Sequence, residues 1–179
     1  MQTHLLSILV VNHPGVLFRV AGLFSRRGFN IESLAVGMTQ DPKVSRITII
    51  VIGDDHTVDQ IVKQVSKLVQ VLTVKVIASE SSVSRELVLI KVTANPNLRH
   101  QIVQIVDIFR AKIVDVSRET LTIEMTGESD KTEALLEMLS EYGVLEIART
   151  GIIALERGPT TINTVSKEKK EFDYGKTSV

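Results

Sequence analysis

The chain has 179 residues, 44% of them hydrophobic and 4% aromatic, and its 21 lysines and arginines balance 21 aspartates and glutamates. This length suffices for one domain of ordinary size or for two small ones. The balanced charge gives no indication of binding to nucleic acid or to an anionic membrane. The chain has no cysteine, no apolar run long enough to span a bilayer and no basic signal region at its start. We therefore expect a cytoplasmic protein without disulfides.

Six elements are predicted in the first half of the chain, from β-branched runs and from apolar residues at helical spacing. Pro42 and Asp41 mark a hairpin turn between the two middle strands, and Thr57 or Asp55 is expected to cap the second helix. In chain order the predicted elements are a strand (5–11), a helix (16–27), a strand (31–38), a strand (46–52), a helix (58–68) and a strand (71–77). This order is βαββαβ.

The same order returns after residues 79–85, which are polar, rich in serine and without periodicity. We interpret residues 79–85 as a linker between a first domain (1–78) and a second domain (86–157). The second set of predicted elements is a strand (86–93), a helix (98–109), a strand (112–116), a strand (120–125), a helix (131–139) and a strand (144–155). The predicted fold class is α+β, with tandem ferredoxin-like βαββαβ domains. Residues 158–179 offer no apolar face and are expected to form a mobile tail.

The most informative segment comprises residues 12–34. A strand ends before it, Pro14 and Gly15 turn the chain, and a helix then begins and runs to Gly28. This arrangement exposes backbone N–H groups at the positive end of a helix, which suits a carboxylate or a phosphate. On the residues alone, Gly15 could equally be a turn glycine that a positive φ requires.

This segment resembles the small regulatory subunits of acetolactate synthase, a family of ACT-domain proteins. The resemblance covers most of the chain up to about residue 157, and its motif is long and without gaps. The matching residues are Asn12, Gly15, Leu17, Arg19, Val20, Gly22, Leu23, Phe24, Arg27, Gly28, Asn30, Ile31 and Ser33.

The resemblance implies an amino-acid-binding ACT domain at the start of the chain, followed by a second domain typical of the family. It also implies that Asn12 and the backbone at Gly15 receive the charged end groups of an amino acid, while Asn30 comes across a dimer interface. The effector site expected on this basis comprises Asn12, His13, Pro14, Gly15, Val16, Leu17, Asn30, Ile31 and Val36. From the residues alone, Asn30 could instead be a residue that tolerates a left-handed conformation, and Ile31 and Val36 could be core residues.

The resemblance further implies a non-catalytic subunit that binds a branched-chain amino acid, with valine as the first expectation. Such a subunit inhibits and also activates a separate large catalytic subunit of acetolactate synthase, a transferase, and forms a homodimer through its ACT domains. Thiamine diphosphate, magnesium and FAD are expected in that catalytic partner, and no cofactor or metal is expected in this chain.

Two alternatives remain open from the sequence. The chain could be an enzyme by itself, although no arrangement of nucleophile, acid and base residues is visible. It could also be a free-standing amino-acid sensor that regulates another enzyme or transcription, although no helix-turn-helix pattern is present.

Overall fold

The computed structural model describes residues 2–162, which form two α+β domains in tandem. The strands are β1 (Gln2–Val11), β2 (Ser33–Met38), β3 (Val44–Gly53), β4 (Val71–Ile77), β5 (Ser82–Thr93), β6 (Lys112–Val116), β7 (Thr120–Gly127), β8 (Val144–Arg149) and β9 (Ile153–Glu156). The helices are α1 (Val16–Arg27), α2 (Asp55–Val65), α3 (Arg99–Ile108) and α4 (Ser129–Ser140), and a short 3-10 turn spans Ser79–Ser81.

The first domain is an antiparallel sheet in the order β2-β3-β1-β4, with α1 and α2 on one face. Side chains alternate along a strand, so Leu6 and Ile8 of β1 point to the helices, where they are buried with Phe24 of α1 and Ile61 of α2. Burial of each such side chain stabilises the fold by about 1.5–3 kcal/mol. The predicted βαββαβ order and the ferredoxin-like fold are confirmed for this domain.

The second domain repeats the arrangement, with the sheet order β6-β7-β5-β8 and with α3 and α4 on one face. Its core contains Val88 and Ile90 of β5, Ile102 of α3 and Leu135 of α4, all with no exposed surface. The tandem architecture is therefore as predicted.

Helix α1 has the predicted bounds. Gly28 follows it in the left-handed conformation (φ 71°), and its N–H reaches the carbonyls of Phe24 and Ser25. Helix α2 begins three residues earlier than predicted, because Asp54 caps it rather than Thr57 or Asp55. The Asp54 carboxylate accepts the Thr57 N–H at 2.8 Å, and hydrogen bonding to Thr57 lowers the pKa of Asp54.

The expected linker is shorter than residues 79–85, because β5 already begins at Ser82. Residues 82–85 of β5 pair with β9, in the register Ser82↔Glu156 to Arg85↔Ile153. The strand predicted for residues 144–155 is correspondingly two strands, separated around Gly151 (φ 79°). We call this two-stranded segment, residues 82–85 with β9, the ribbon.

The ribbon lies against the face of the first sheet that the helices leave open. Lys75 of β4 and Glu156 of β9 form an ion pair at 2.6 Å, and both side chains are largely buried. The Ile152 N–H donates to the Ser33 hydroxyl at 3.1 Å. A side chain at Gly151 would place its Cβ only 2.8 Å from the Leu34 carbonyl oxygen. The two domains are therefore joined by close contacts as well as by the chain.

The tail predicted for residues 158–179 begins inside the described residues. The Arg157 N–H donates to the Ser81 carbonyl at 2.8 Å, and Ile162 is buried. Residues 163–179 lie outside the described part of the chain. Over residues 2–162, no helix is both long and apolar enough to cross a membrane.

Candidate effector site

The loop between β1 and α1 presents an uncapped helix N-terminus to solvent. Gly15 is the N-cap residue of α1 and has a left-handed conformation (φ 84°), with no side-chain cap and no acidic residue in the first turn. A Cβ added at Gly15 would have no heavy atom within 4 Å, so the space above the loop is open. Among residues 2–162, no group accepts a hydrogen bond from the N–H of Gly15, Leu17 or Phe18. These donors at the positive end of a helix can receive a carboxylate.

Asn12 connects this loop to the hairpin between β2 and β3. Its backbone N–H donates to the Lys43 carbonyl at 2.7 Å, and its side-chain Nδ2 donates to the Pro42 carbonyl at 2.8 Å. The side-chain Oδ1 has no donor partner within the described part of the chain, so it is available to an ammonium group.

Asn30 lies beyond the other end of α1. Its side chain is exposed and donates from Nδ2 to Oε1 of Glu32. It does not have the left-handed conformation that the sequence left open, because Arg110 is the one non-glycine residue with a positive φ between residues 2 and 162. The 12 residues of α1 put roughly 18 Å between its two ends, so Asn30 and Gly15 of one chain cannot contact the same amino acid.

Five of the six other expected site residues divide into two groups. His13 and Pro14 are exposed on the loop, and Leu17 is exposed in the first turn of α1. Val16 and Ile31, by contrast, pack in or against the core of the first domain, so they contribute backbone rather than a free side chain.

Val36 lies elsewhere. It is half exposed on the edge strand β2 and lines a cavity of about 720 Å³ between the first sheet and the ribbon. No local pattern predicts this cavity, because residues 82–85 are interpreted as a linker and residues 153–155 as the end of one long strand, whereas the two segments pair as the ribbon.

Two ferredoxin-like domains in tandem, with an exposed uncapped loop in the first, are typical of the ACT-type class of proteins. Residues 6–73 match the family described as AHAS small subunit-like ACT domain, and residues 85–158 match the family described as small subunit of acetolactate synthase. The chain belongs to the acetolactate synthase small subunit family.

Named relatives and a crystal structure agree with this assignment. The chain is 54% identical over 160 residues to the acetolactate synthase small subunit of Mycolicibacterium smegmatis, covering 89% of this chain and 94% of that one. It is 51% identical over 165 residues to the small subunit of Mycobacterium leprae, covering 92% and 98%. The crystal structure of the acetolactate synthase small subunit from Thermotoga maritima superimposes with a TM-score of 0.83 at 49% identity, covering 89% of this chain and all of that one.

Proposed function

We propose that the chain is a regulatory subunit that binds a branched-chain amino acid, with valine as the expected effector, and controls a large catalytic subunit of acetolactate synthase. The observation that carries the proposal is the open N-terminus of α1, in a chain that belongs to this family. The chain itself contributes no catalytic group in this proposal. Thiamine diphosphate, magnesium and FAD belong to the catalytic partner.

The effector's carboxylate would bind at the N–H groups around Gly15. The helix dipole favours an anion there by about 0.3–1 kcal/mol, and each hydrogen bond to a charged group contributes about 1.5–3 kcal/mol. The ammonium group would bind the free Oδ1 of Asn12. Both end groups of the amino acid then have partners of opposite polarity.

The site would be completed by a second copy of the chain. Because α1 separates Gly15 from Asn30, an amino acid that contacts both must lie between two chains. Strand β2 lies at the edge of the first sheet, and its exposed Val36 and Met38 leave it uncovered. An edge strand of this kind favours pairing with another copy.

Regulation follows if the effector binds one arrangement of the two copies more tightly than another. If the effector's binding free energies for the two arrangements differ by about 1–3 kcal/mol, effector binding shifts the equilibrium between the arrangements by roughly 5- to 150-fold. A shift of this size is enough for strong inhibition. The same complex would stimulate the catalytic subunit when no effector is bound.

The test is reconstitution with the large subunit. Acetolactate formation from pyruvate is measured with the large subunit alone, with the small subunit alone and with both, and the mixture is then titrated with valine. We expect stimulation by the small subunit and inhibition by valine. Activity of the small subunit alone would favour the enzyme alternative, and a valine titration without any effect would overturn the effector assignment.

Calorimetry with valine, leucine and isoleucine identifies the preferred effector. One methylene changes binding in an apolar pocket by about 1–3 kcal/mol, so valine should be distinguishable from leucine and isoleucine, which are isomers and differ from each other in the position of the branch. Light scattering with and without the effector measures whether the chain is a dimer.

A further inference from the structure

The segment between α1 and β2 presents two polar side chains at the surface of the first domain. Phe29 and Ile31 pack against the core, whereas Asn30 and Glu32, which alternate with them, are exposed. The Glu32 N–H donates to the Ile50 carbonyl at 3.0 Å, which fixes the segment to β3. The two exposed side chains are therefore held at a defined place beside the start of β2.

Glu32 is a carboxylate without a cation. Its Oε1 accepts a hydrogen bond from Nδ2 of Asn30, and among residues 2–162 no basic group lies within ion-pair distance of it. The two arginines in the last turn of α1 are directed elsewhere. Arg27 donates to the Gln64 side chain at 3.4 Å, and Arg26 lies back along the helix. The Glu32 carboxylate is therefore available to a positively charged group of a ligand.

Edge-to-edge pairing of two first domains brings this segment to the effector loop (residues 12–15) of the other copy. Edge strand β2 begins directly after Glu32. Its other end, Met38, leads into the hairpin whose Pro42 carbonyl accepts the Asn12 amide, so the effector loop lies at that end of β2. Two identical edge strands that pair about a twofold axis, with all helices on one face of the joined sheet, run antiparallel. The start of one β2 therefore lies beside the end of the other.

The dimensions and the polarity of α1 fit this arrangement. The 12 residues of α1 rise about 18 Å, and the six residues of β2 span about 20 Å, so helix and strand have similar lengths. A helix is partially positive at its N-terminus and partially negative at its C-terminus. Antiparallel copies place the positive end of one α1 near the negative end of the other, where Glu32 adds a full negative charge. The carboxylate and the ammonium of a free amino acid match these two ends.

We propose that Glu32 selects an effector with a free ammonium group, by pairing across the interface with the amino acid bound at the effector loop of the other copy. The inference rests on the proposed function and deepens it, since it assigns a specificity residue to the same site. An ammonium group has three N–H donors. One copy supplies Oδ1 of Asn12, and the other supplies Oδ1 of Asn30 and the carboxylate of Glu32. Each donor then has an acceptor.

The 2-oxo acid with the skeleton of valine is the ligand that this site rejects. 3-Methyl-2-oxobutanoate has the carboxylate and the branched side chain of valine, but a carbonyl oxygen replaces the ammonium group. A carbonyl oxygen accepts hydrogen bonds and donates none, so it would face three acceptors and a negative charge without a partner for any of them. Loss of a ligand donor costs much more binding than loss of a methylene, so the amino acid and the 2-oxo acid should differ strongly in affinity.

The experiment measures valine binding to the full-length chain by calorimetry, and binding of 3-methyl-2-oxobutanoate by its competition with valine. The wild type should bind valine roughly 100-fold or more tightly than the 2-oxo acid. Glu32→Gln should weaken valine binding by about 10-fold or more and leave the 2-oxo acid unaffected, so the selectivity falls. Glu32→Asp keeps the charge on a shorter side chain and should retain most of the selectivity. Glu119→Gln removes an exposed carboxylate of the second domain and should bind both ligands like the wild type.

The choice of glutamine separates the charge of Glu32 from its contact with Asn30. The amide that Glu32→Gln introduces still accepts the Asn30 Nδ2–H, whereas Glu32→Ala removes the acceptor and the charge together. Selectivity that survives in Glu32→Gln and is lost only in Glu32→Ala would overturn the ammonium contact and leave Glu32 the role of orienting Asn30. Added salt should weaken valine binding to the wild type more than to Glu32→Gln, because it screens the charge.

Two further outcomes would overturn the inference. One is a wild type that binds valine and the 2-oxo acid equally well. The other is an equal loss of affinity for both ligands in Glu32→Gln, which would indicate a general disturbance of the site. Circular dichroism and light scattering check that each variant is folded and keeps the oligomeric state of the wild type, as expected for an exposed residue. Failure of the wild type to bind valine at all would reject the proposed function itself, whereas valine binding that Glu32→Gln leaves unchanged would reject only the role of Glu32.

Discussion

The two domains share a topology but differ at the start of their first helix. In the first domain, Gly15 precedes α1 without a side-chain cap, and the Asn12 amide donates to the neighbouring hairpin. In the second domain, the N-cap residue Leu98 of α3 likewise has no side-chain cap, but the Asn95 Oδ1 accepts the N–H groups of Asn97 and Leu98 just before the helix, each at 3.1 Å. The same fold therefore has free backbone N–H donors before the helix in the first domain. In the second domain, side-chain and main-chain acceptors of the chain itself bind the corresponding donors.

Arg99 closes the second loop further. Its Nη2 donates to the carbonyls of Ala94, Ser117 and Arg118 at 2.6–3.2 Å, so a long side chain ties the start of α3 to the turn before β7. The ferredoxin-like unit therefore supplies a helix N-terminus in each domain, while a few loop residues decide whether that N-terminus can bind a ligand.

Gly15→Asp, in the open loop of the first domain, is expected to have the largest effect. A carboxylate at this position repels the effector's carboxylate and competes for the same N–H groups, while its Cβ strains a residue with φ 84°. The valine concentration for half-maximal inhibition should rise by roughly 100-fold, which corresponds to about 3 kcal/mol, with stimulation of the large subunit retained. The measurement is a valine titration of the reconstituted activity.

Two variants control for this result. Gly15→Asn has nearly the same shape without the charge and tolerates the left-handed conformation, so it should retain more inhibition than Gly15→Asp. Asn97→Asp places the same charge in the closed loop and should leave the inhibition curve unchanged. An unchanged curve for Gly15→Asp would remove this loop from the effector site.

Asn30→Ala tests the part of the site that a second chain would supply. Loss of its polar group should weaken valine binding by about 1–3 kcal/mol, because a buried polar group of the ligand loses its partner. Calorimetry on the folded variant measures the affinity. Asn97→Ala, in the closed loop of the second domain, is the control and should bind valine like the wild type. If Asn30→Ala binds valine as tightly as this control, the cross-chain site is contradicted.

Asn95→Ala should open the second loop without creating a regulatory site. Removal of its Oδ1 leaves the Asn97 and Leu98 N–H groups without their acceptor and should destabilise the protein by about 1 kcal/mol. Urea unfolding measures the loss of free energy, and valine inhibition should not change. A shift of the inhibition curve would show that the closed loop also takes part in regulation.

The smallest expected effect concerns the helix ends. Gly28 after α1 and Arg110 after α3 both have positive φ, 71° and 53°. A left-handed conformation costs a non-glycine residue roughly 1–2 kcal/mol, partly offset by the greater flexibility of glycine in the unfolded chain. Arg110→Gly should therefore stabilise the protein by about 0.5–1 kcal/mol in urea unfolding, and Gly28→Ala should destabilise it by a similar amount. Equal stability of all three proteins would contradict the strain at Arg110.

Much of the fold could be predicted because its signals are local. The apolar spacing in α1, the glycine at its end and the β-branched runs of β1 and β4 each depend on neighbouring residues in the sequence. The pairing of residues 82–85 with β9 and the packing of this ribbon could not be predicted, because Ser82 and Ala154 are small residues whose burial depends on contact with a sheet formed by distant parts of the chain.

The same distinction holds for the candidate site. The turn at Pro14 and Gly15 and the open helix N-terminus could be predicted from adjacent residues. The hydrogen bond from Asn12 to Pro42 spans 30 residues, and the pairing of Gly37 with Arg46 depends on strand register. Neither contact has a local signal in the sequence.

Gly151 has a consequence for how members of the family can be recombined. With its absent side chain against the Leu34 carbonyl and the Ser33 hydroxyl, the second domain meets the first at the level of the main chain. A chimera that joins the first half of one member to the second half of another keeps this contact between the domains only if position 151 is a glycine and position 33 is a small residue. The two halves, although alike in topology, are therefore matched parts rather than interchangeable modules.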